Sequence, residues 1–290
     1  MMLSTRTILQ AFLDRSPPEE KEELLGYLTL AERQAIISPS KTYGDPLKSQ
    51  ENPSRLLDWI HSSWISPFLR TLSEREIGLF LDCLSAEKAA SVGKELLYKQ
   101  KSPSTLSSIG KSFLETTLVQ YLTAEAEDLL PIGCLPESPL NLFLTLSSDE
   151  AHEFLDLFGL HDLAAEIKQI IDKQKLAKIY ETLTLNQQSY LKILLQSHEP
   201  VLFAPIGLAN WTGDQARLKL LIQQRGANRL GKALHEQDPS LFWYILHRLD
   251  MDRALLIRKL STSVDSPRAS QILVQQAVEI MRYMGKNADE

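Results

Sequence analysis

Apolar residues recur along most of the chain at spacings of three and four, the period of one face of a helix. The last third shows this pattern most clearly. A segment that begins at Asp238-Pro239 places apolar residues at i, i+1, i+4 and i+8, namely Leu241, Phe242, Ile245 and Leu249. The next segment follows Asp250 and has on its inner face Ala254, Leu255, Ile257 and Leu260. A last segment starts at Asp265-Ser266-Pro267 and continues through Met281. The spacing predicts three short amphipathic helices in a compact bundle.

Upstream segments also begin like helices, with a small capping residue shortly before an acid or amide. This pattern occurs at Leu28-Thr29…Glu32, Leu72-Ser73…Glu76, Leu146-Ser147…Glu150 and Leu185-Asn186…Gln188. Ser147 is expected to start a helix that ends at Phe158, before another from His161 to Leu176. The recurrence fits helix pairs stacked like armadillo or HEAT units, and it fits equally well unrelated helices that share a capping box. Only Val201-Leu202-Phe203 has the composition of a strand, so we predict an all-α protein.

Prolines mark the candidate domain boundaries. Three of them fall within Pro131–Pro139, which is typical of a linker, and the stretch from Ser38 to Pro53 is predicted to be a loop. We predict an N-terminal helical domain at residues 1–130, a linker at 131–139, an armadillo-like helical region at 140–200 and a compact helix bundle at 201–290.

Composition indicates an ordinary globular protein. Charged residues make up 23% of the 290 residues and the net charge is −6, which argues against general binding to nucleic acid. Cys83 and Cys134 form no CxxC pair and are expected to be reduced, as in a cytoplasmic protein. No apolar run approaches the roughly 20 residues of a membrane span. We therefore expect a cytoplasmic location.

No motif predicts catalysis. Gly110-Lys111-Ser112 matches the end of a phosphate-binding loop, but Thr105 stands where that loop needs its first glycine. The histidines are scattered over separate predicted elements, without HExxH or a His/Cys cluster, at positions 61, 152, 161, 198, 235 and 247. We therefore assign no catalytic, cofactor-binding or metal-binding residue, expect no cofactor, and expect a protein that is not an enzyme.

The C-terminal third resembles a known family. Five segments match, in order, successive elements in the C-terminal domain of the flagellar motor-switch FliG family. They are Phe203 with Ile206-Gly207-Leu208, Gln215–Leu218, Leu230–Leu234, Asp252-Arg253-Ala254 with Arg258, and Ser270–Arg282. The helices before them are similar to the armadillo-like repeats in the middle region of that family. The resemblance implies an armadillo- or HEAT-like helical array that ends in a compact FliG-C-like bundle.

One departure changes the expected function. The family's torque helix carries two adjacent acids near its end, where this chain has Lys259 and Leu260. A rotor that recognises a stator by complementary charge depends on such acids. The resemblance, with this departure, implies a structural adaptor like the SctK family of type III secretion, between the inner-membrane ring and a cytoplasmic ring or pod protein. The adaptor would lie at the inner membrane through protein contacts and could form oligomers in the assembled complex.

The expected partner-binding residues lie on the outer face of the bundle, at Arg248, Asp252, Arg253, Arg258 and Lys259. Two other functions remain open. One is a divergent flagellar motor-switch protein with a rotor function. The other is a HEAT-like helical regulator or chaperone that binds an unrelated soluble partner.

Overall fold

The structure is a computed structural model that describes residues 9, 13, 16–29, 32–33, 53–98, 106–126, 129–197, 199–264 and 267–286. Within these residues the secondary structure is helical and no strand occurs, which confirms the all-α prediction. The strand-like Val201-Leu202-Phe203 is irregular. The predicted loop from Ser38 to Pro53 lies outside the described residues, apart from Pro53, which begins a helix. The predicted cap at Asp265-Ser266 also lies outside them. The armadillo-like arrangement of helix pairs stays a prediction.

The chain divides into two compact units. The first comprises Met1–Ser138 and Asp238–Tyr244. Its described helices are α1 Pro18–Gly26, α2 Pro53–Trp59, α3 Ser66–Leu69, α4 Glu74–Cys83, α5 Ala86–Leu96 and α6 Ser108–Thr123, with 3-10 turns at Ser62–Trp64 and Ile132–Cys134. Trp59 and Tyr244 pack edge to face in this unit, with ring centroids 5.5 Å apart.

The second unit comprises Pro139–Gln237 and Ile245–Glu290. Its helices are α7 Ser148–Ile167, α8 Lys173–Thr182, α9 Leu185–Gln196, α10 Gln215–Leu234, α12 Met251–Leu260 and α13 Pro267–Tyr283, with 3-10 turns at Pro139–Thr145 and Leu208–Asn210. Helix α11, Pro239–Arg248, begins in the first unit and ends in the second. Helices before and after residue 200 therefore share one unit. The domain boundaries that the sequence predicts at residues 130, 139 and 200 stay predictions.

Capping side chains start several helices where the sequence predicts them. Ser73 and Glu76 form a reciprocal capping box at α4, and Ser147 and Glu150 form another at α7. At α9 the cap is Thr184, whose side chain accepts from the backbone N–H of Gln187, so the helix starts two residues earlier than a cap at Asn186 would give. Such boxes satisfy backbone N–H groups that a helix leaves open at its first turn.

Helix α7 is the central element of the second unit. The sequence predicted a break between Phe158 and His161, but α7 runs without interruption from Ser148 to Ile167. Most of its residues are buried, including Phe154, Phe158 and Leu163. A helix buried on all sides has apolar residues all round, which hides the one-sided pattern that periodicity detects.

Helices α7 and α10 cross at two glycines. A Cβ atom on Gly159 would lie 2.0 Å from the carbonyl oxygen of Ile222, and one on Gly226 would lie 1.8 Å from that of Leu155. Each helix therefore uses the missing side chain to bring its backbone against the other. Gly159 marks a contact point rather than the end of a helix.

A carboxylate of α7 also holds the segment that leads into α10. The side chain of Glu166 accepts hydrogen bonds from the backbone N–H groups of Ile206 at 2.6 Å, Gly207 at 3.1 Å and Leu208 at 2.6 Å. Gly207 has a φ of +91°, a left-handed conformation that other residues rarely adopt. The 3-10 turn at Leu208–Asn210 has no side-chain cap of its own, so Glu166 supplies the acceptor for the backbone N–H groups at its start.

Candidate functional site

Helix α12 carries the candidate partner-binding surface. Its buried residues are Ala254 and Ile257, which are three positions apart. Leu255 was predicted to face inward, and this is wrong, because 48% of its surface is exposed. Consecutive helical residues are about 100° apart, so the residue after Ala254 points away from the face that Ala254 and Ile257 share.

Three charged residues surround Leu255 on the exposed side of α12. Asp252 is three positions before it, and Arg258 and Lys259 are three and four positions after it. These spacings place side chains next to one another on a helix surface. All four residues are exposed. We call the surface of Asp252, Leu255, Arg258 and Lys259 the α12 face.

The two other predicted binding residues have structural contacts. Arg248 is half-buried and its Nε donates to the carbonyl oxygen of Leu146 at 2.7 Å, while burial lowers the pKa of its guanidinium. Arg253 donates from Nη1 to Asp250 Oδ2 at 2.6 Å and from Nη2 to Gln223 Oε1 at 3.2 Å. The five predicted residues therefore divide into an exposed group on α12, namely Asp252, Arg258 and Lys259, and two arginines whose guanidinium groups make hydrogen bonds within the unit.

Asp250 fixes the start of α12. Its Oδ1 accepts from the backbone N–H of Arg253 at 3.1 Å, which makes it the N-cap, and His152 Nε2 on α7 lies 3.0 Å from its Oδ2. Burial opposes ionisation of Asp250, but the hydrogen bonds from His152 and Arg253 outweigh burial and hold its pKa below the ordinary value. The α12 face is therefore presented by a helix whose first turn is anchored to α7.

A buried polar cluster lies elsewhere in the second unit, around Arg229 of α10. This side chain is fully buried. Its Nη2 donates to Asp162 Oδ1 at 2.6 Å, and its Nη1 donates to Gln276 Oε1 at 2.9 Å and to Glu199 Oε1 at 3.3 Å. The guanidinium also lies 5.3 Å from the ring centre of Phe203. One cation thus joins α7, α10, α13 and the segment after α9.

Glu199 connects this cation to a histidine. His161 Nδ1 lies 2.7 Å from Glu199 Oε2, and its Nε2 lies 3.1 Å from the hydroxyl of Tyr190. Burial raises the pKa of Glu199, but the hydrogen bond from His161 and the charge of Arg229 outweigh burial and bring it to about 2. For Asp162 burial prevails and its pKa is raised.

The polar cluster has the properties of a structural element. His161, Asp162, Glu199 and Arg229 are each engaged with another member, and side-chain exposure is at most 9%. Sequence analysis missed it because these four residues come from three separate segments, namely α7, the segment after α9, and α10. The local signal was weak: Arg229 lies between the small residues Gly226 and Ala227 and the apolar Leu230 on a face of α10 that is buried.

Metal binding, thiol reactivity and membrane crossing have little support in the described residues. They contain no group of three or more His, Cys, Asp or Glu side chains that could hold a metal ion. Both cysteines are buried, and burial raises the pKa of Cys83 to about 12, which keeps it a thiol. Among the helices described, none is long and apolar enough to cross a membrane.

Comparison with known proteins gives no relative for this chain. No protein-family model, no curated protein and no solved structure matches it. The resemblance to the FliG family therefore stays a prediction that rests on the residues of the last third of the chain.

Proposed function

We propose that this chain is a non-enzymatic adaptor of a type III secretion cytoplasmic complex, which links the inner-membrane ring to a cytoplasmic ring or pod protein. It would lie at the inner membrane through these protein contacts. The observation that carries the proposal is the α12 face, where the exposed Leu255 is surrounded by charged side chains on an anchored helix.

The make-up of the α12 face suits protein recognition. Protein interfaces commonly combine an apolar centre with a polar rim, and a few central residues supply most of the binding energy. Leu255 can occupy an apolar pocket of the partner, while Asp252, Arg258 and Lys259 set orientation by charge. Because His152 and Arg253 hold Asp250, α12 loses little freedom when it binds, which lowers the cost of association.

The charge of the α12 face indicates what the partner presents. Arg258 and Lys259 are adjacent and exposed, whereas Asp252 is the single acid among the four residues. An acidic partner surface with an apolar pocket complements this arrangement. A stator that recognises acidic side chains on the torque helix would instead meet the positive charge of Lys259.

Co-purification with the ring and pod proteins of a secretion system encoded in the same genome tests the proposal. We expect a stable complex, and we expect the double variant Arg258→Glu/Lys259→Glu to weaken it at least about tenfold, since like charges would then face the acidic partner. Leu255→Asp should have a similar effect by placing a charge in an apolar pocket. All three changed residues are exposed, so the fold should persist.

The matched control is Lys192→Glu/Arg282→Glu, which reverses two exposed charges on α9 and α13. This control should bind like the unaltered protein. Binding that is equally weak in both double variants would show a general charge effect and contradict a role for the α12 face. A complex with a flagellar stator in place of the secretion proteins would favour the motor-switch alternative. Absence of any complex with secretion or flagellar components would overturn the adaptor proposal.

A further inference from the structure

The loop between α7 and α8 carries the most exposed large apolar side chain of the described residues. Ile171 is 94% exposed, while Ile170 before it is half-buried. Lys168 precedes this pair, and Lys173 and Lys175 follow it. We call the surface of Lys168, Ile171, Lys173 and Lys175 the Ile171 tip.

Hydrogen bonds fix the loop on both sides of Ile171. Before it, the backbone N–H of Ile170 donates to the carbonyl oxygen of Ile167 at 2.9 Å. After it, Asp172 caps α8, and its Oδ1 accepts from the backbone N–H of Gln174 at 2.9 Å. The neighbours of Ile171 thus hold it in its exposed position, so little freedom is lost when it enters another environment.

The lysines of the Ile171 tip come from two helices. Lys173 and Lys175 are two positions apart in the first turn of α8, so they lie about 200° apart around the helix axis. Lys168 is the C-cap of α7, and its Nζ donates to the carbonyl oxygen of Ser197 after α9. The positive charges are therefore distributed around the exposed isoleucine and do not form a row on one helix face.

The acidic side chains nearest to the tip in sequence are engaged with backbone N–H groups. Asp172 is the single acid between residues 168 and 175, and its carboxylate caps α8, whose dipole is positive at that end. Glu166 accepts hydrogen bonds from the N–H groups of residues 206–208. Three lysines against one acid leave this segment with a net positive charge.

We propose that the Ile171 tip is a peripheral membrane-binding site for an anionic lipid bilayer. Ile171 would enter the boundary between the headgroups and the acyl chains, and the three lysines would lie among the lipid phosphates. The proposal goes beyond the adaptor function, does not rest on it, and uses no residue of the α12 face.

The shape and charge of the tip favour a bilayer as the occupant. An anionic membrane is negative at its surface and apolar beneath, so a protruding apolar side chain with cations around it meets both layers at once. The chain's net charge of −6 belongs to the first unit, which has 20 Asp and Glu against 14 Lys and Arg, whereas the second unit has 17 of each. In this neutral unit the lysines set the sign of the local field at the tip.

The size of the tip sets the expected strength. Each lysine close to an anionic surface changes the partition constant by roughly fivefold. Salt weakens this attraction, because charges are screened over about 8 Å at physiological ionic strength. Binding through one isoleucine and three lysines should therefore be reversible, require anionic lipid and decrease with salt. It would become stronger where protein contacts already hold the chain at a membrane.

Co-sedimentation of the full chain with lipid vesicles tests the proposal. Vesicles of phosphatidylcholine with about one third phosphatidylglycerol should bind the chain, and vesicles of phosphatidylcholine alone should not. Lys173→Gln/Lys175→Gln should weaken binding to the anionic vesicles at least about fivefold, since it removes two charges from the tip. Ile171→Ser should weaken it at least about fivefold by removing the apolar side chain.

The matched controls make the same kinds of change elsewhere in the second unit. Arg258→Gln/Lys259→Gln removes two exposed charges from the α12 face, and Leu185→Ser removes a side chain of α9 that is 81% exposed. Both controls should bind the anionic vesicles like the unaltered chain. A chain that stays in solution with these vesicles would overturn the proposal, and so would controls that lose as much binding as the tip variants.

A fluorescent side chain reports whether the tip enters the bilayer. With anionic vesicles, the emission of Ile171→Trp should shift to shorter wavelength and be quenched by brominated lipid, relative to the unaltered chain with its four tryptophans. Leu185→Trp should show neither effect. If Ile171→Trp sediments with the vesicles but its emission matches that of Leu185→Trp, the chain binds through another surface and the proposed site is wrong.

Discussion

The crossing of α7 and α10 gives the sharpest test of the fold. In Gly226→Ala the added methyl group would lie 1.8 Å from the carbonyl oxygen of Leu155, and in Gly159→Ala it would lie 2.0 Å from that of Ile222. Both obstacles are helix backbone atoms, which cannot rotate away as a side chain can. Restoring ordinary van der Waals contact would require the helices to separate by about 1.5 Å, a gap that forfeits most of the dispersion energy between the facing atoms.

The expected cost follows from two opposing effects. Overpacking of a tight core typically costs about 1–3 kcal/mol and costs more where backbone must move, as at Gly159 and Gly226. Alanine favours a helix over glycine by about 1 kcal/mol, which offsets part of this. We expect each variant to lower the free energy of unfolding of the second unit by about 2–4 kcal/mol.

Urea unfolding followed by circular dichroism measures this loss. The matched control is Gly93→Ala in α5, also a glycine within a helix, where the added methyl group would meet its nearest neighbour at 3.8 Å. That variant should be unchanged or up to about 1 kcal/mol more stable. If Gly226→Ala proved as stable as Gly93→Ala, the reasoning from the backbone crossing would be refuted.

Three further predictions concern polar side chains of the second unit. Arg229→Met should destabilise the second unit by about 3–5 kcal/mol in thermal unfolding, because it leaves carboxylates buried without their cation, whereas the exposed Arg217→Met should have little effect. The pKa of Glu199 is about 2 in the folded chain, below its unfolded value of about 4.3. The ionised Glu199 therefore stabilises the folded chain above a pH of about 4.3, and this contribution is lost as pH falls toward 2. The melting temperature should therefore fall more steeply on acidification for the unaltered chain than for Glu199→Gln. Glu166→Ala should speed amide hydrogen exchange at residues 206–208 at least about tenfold, and equal exchange in both proteins would contradict the hydrogen bonds assigned to that carboxylate.

Features determined by neighbouring residues were predictable from the sequence. The capping boxes at Ser73 and Ser147 depend on two side chains three positions apart, and both occur as predicted. The all-α class follows from the same local signals, since almost every segment has helical periodicity and a start signal.

Features determined by distant parts of the chain were not predictable in this way. Gly159 reads as a helix break, but it is a contact with α10, more than sixty positions away. Leu255 reads as core, because periodicity cannot show how narrow a buried face is, and α12 buries only Ala254 and Ile257. The role of Arg229 has no local sign in the sequence, because Asp162 and Glu199 reach it from distant parts of the chain. Each error concerns which surface meets another helix.

The assignment of residues 238–244 to the first unit has a consequence for synthesis of the chain. Trp243 and Tyr244 belong to that unit, yet they are translated after residues 139–237, which belong to the other. The first unit therefore cannot reach its final packing when residue 138 has been made, and it waits for a segment synthesised about a hundred residues later. A fragment that stops at residue 138 should expose the apolar surface that Trp243 and Tyr244 cover, and should aggregate or bind chaperones during expression.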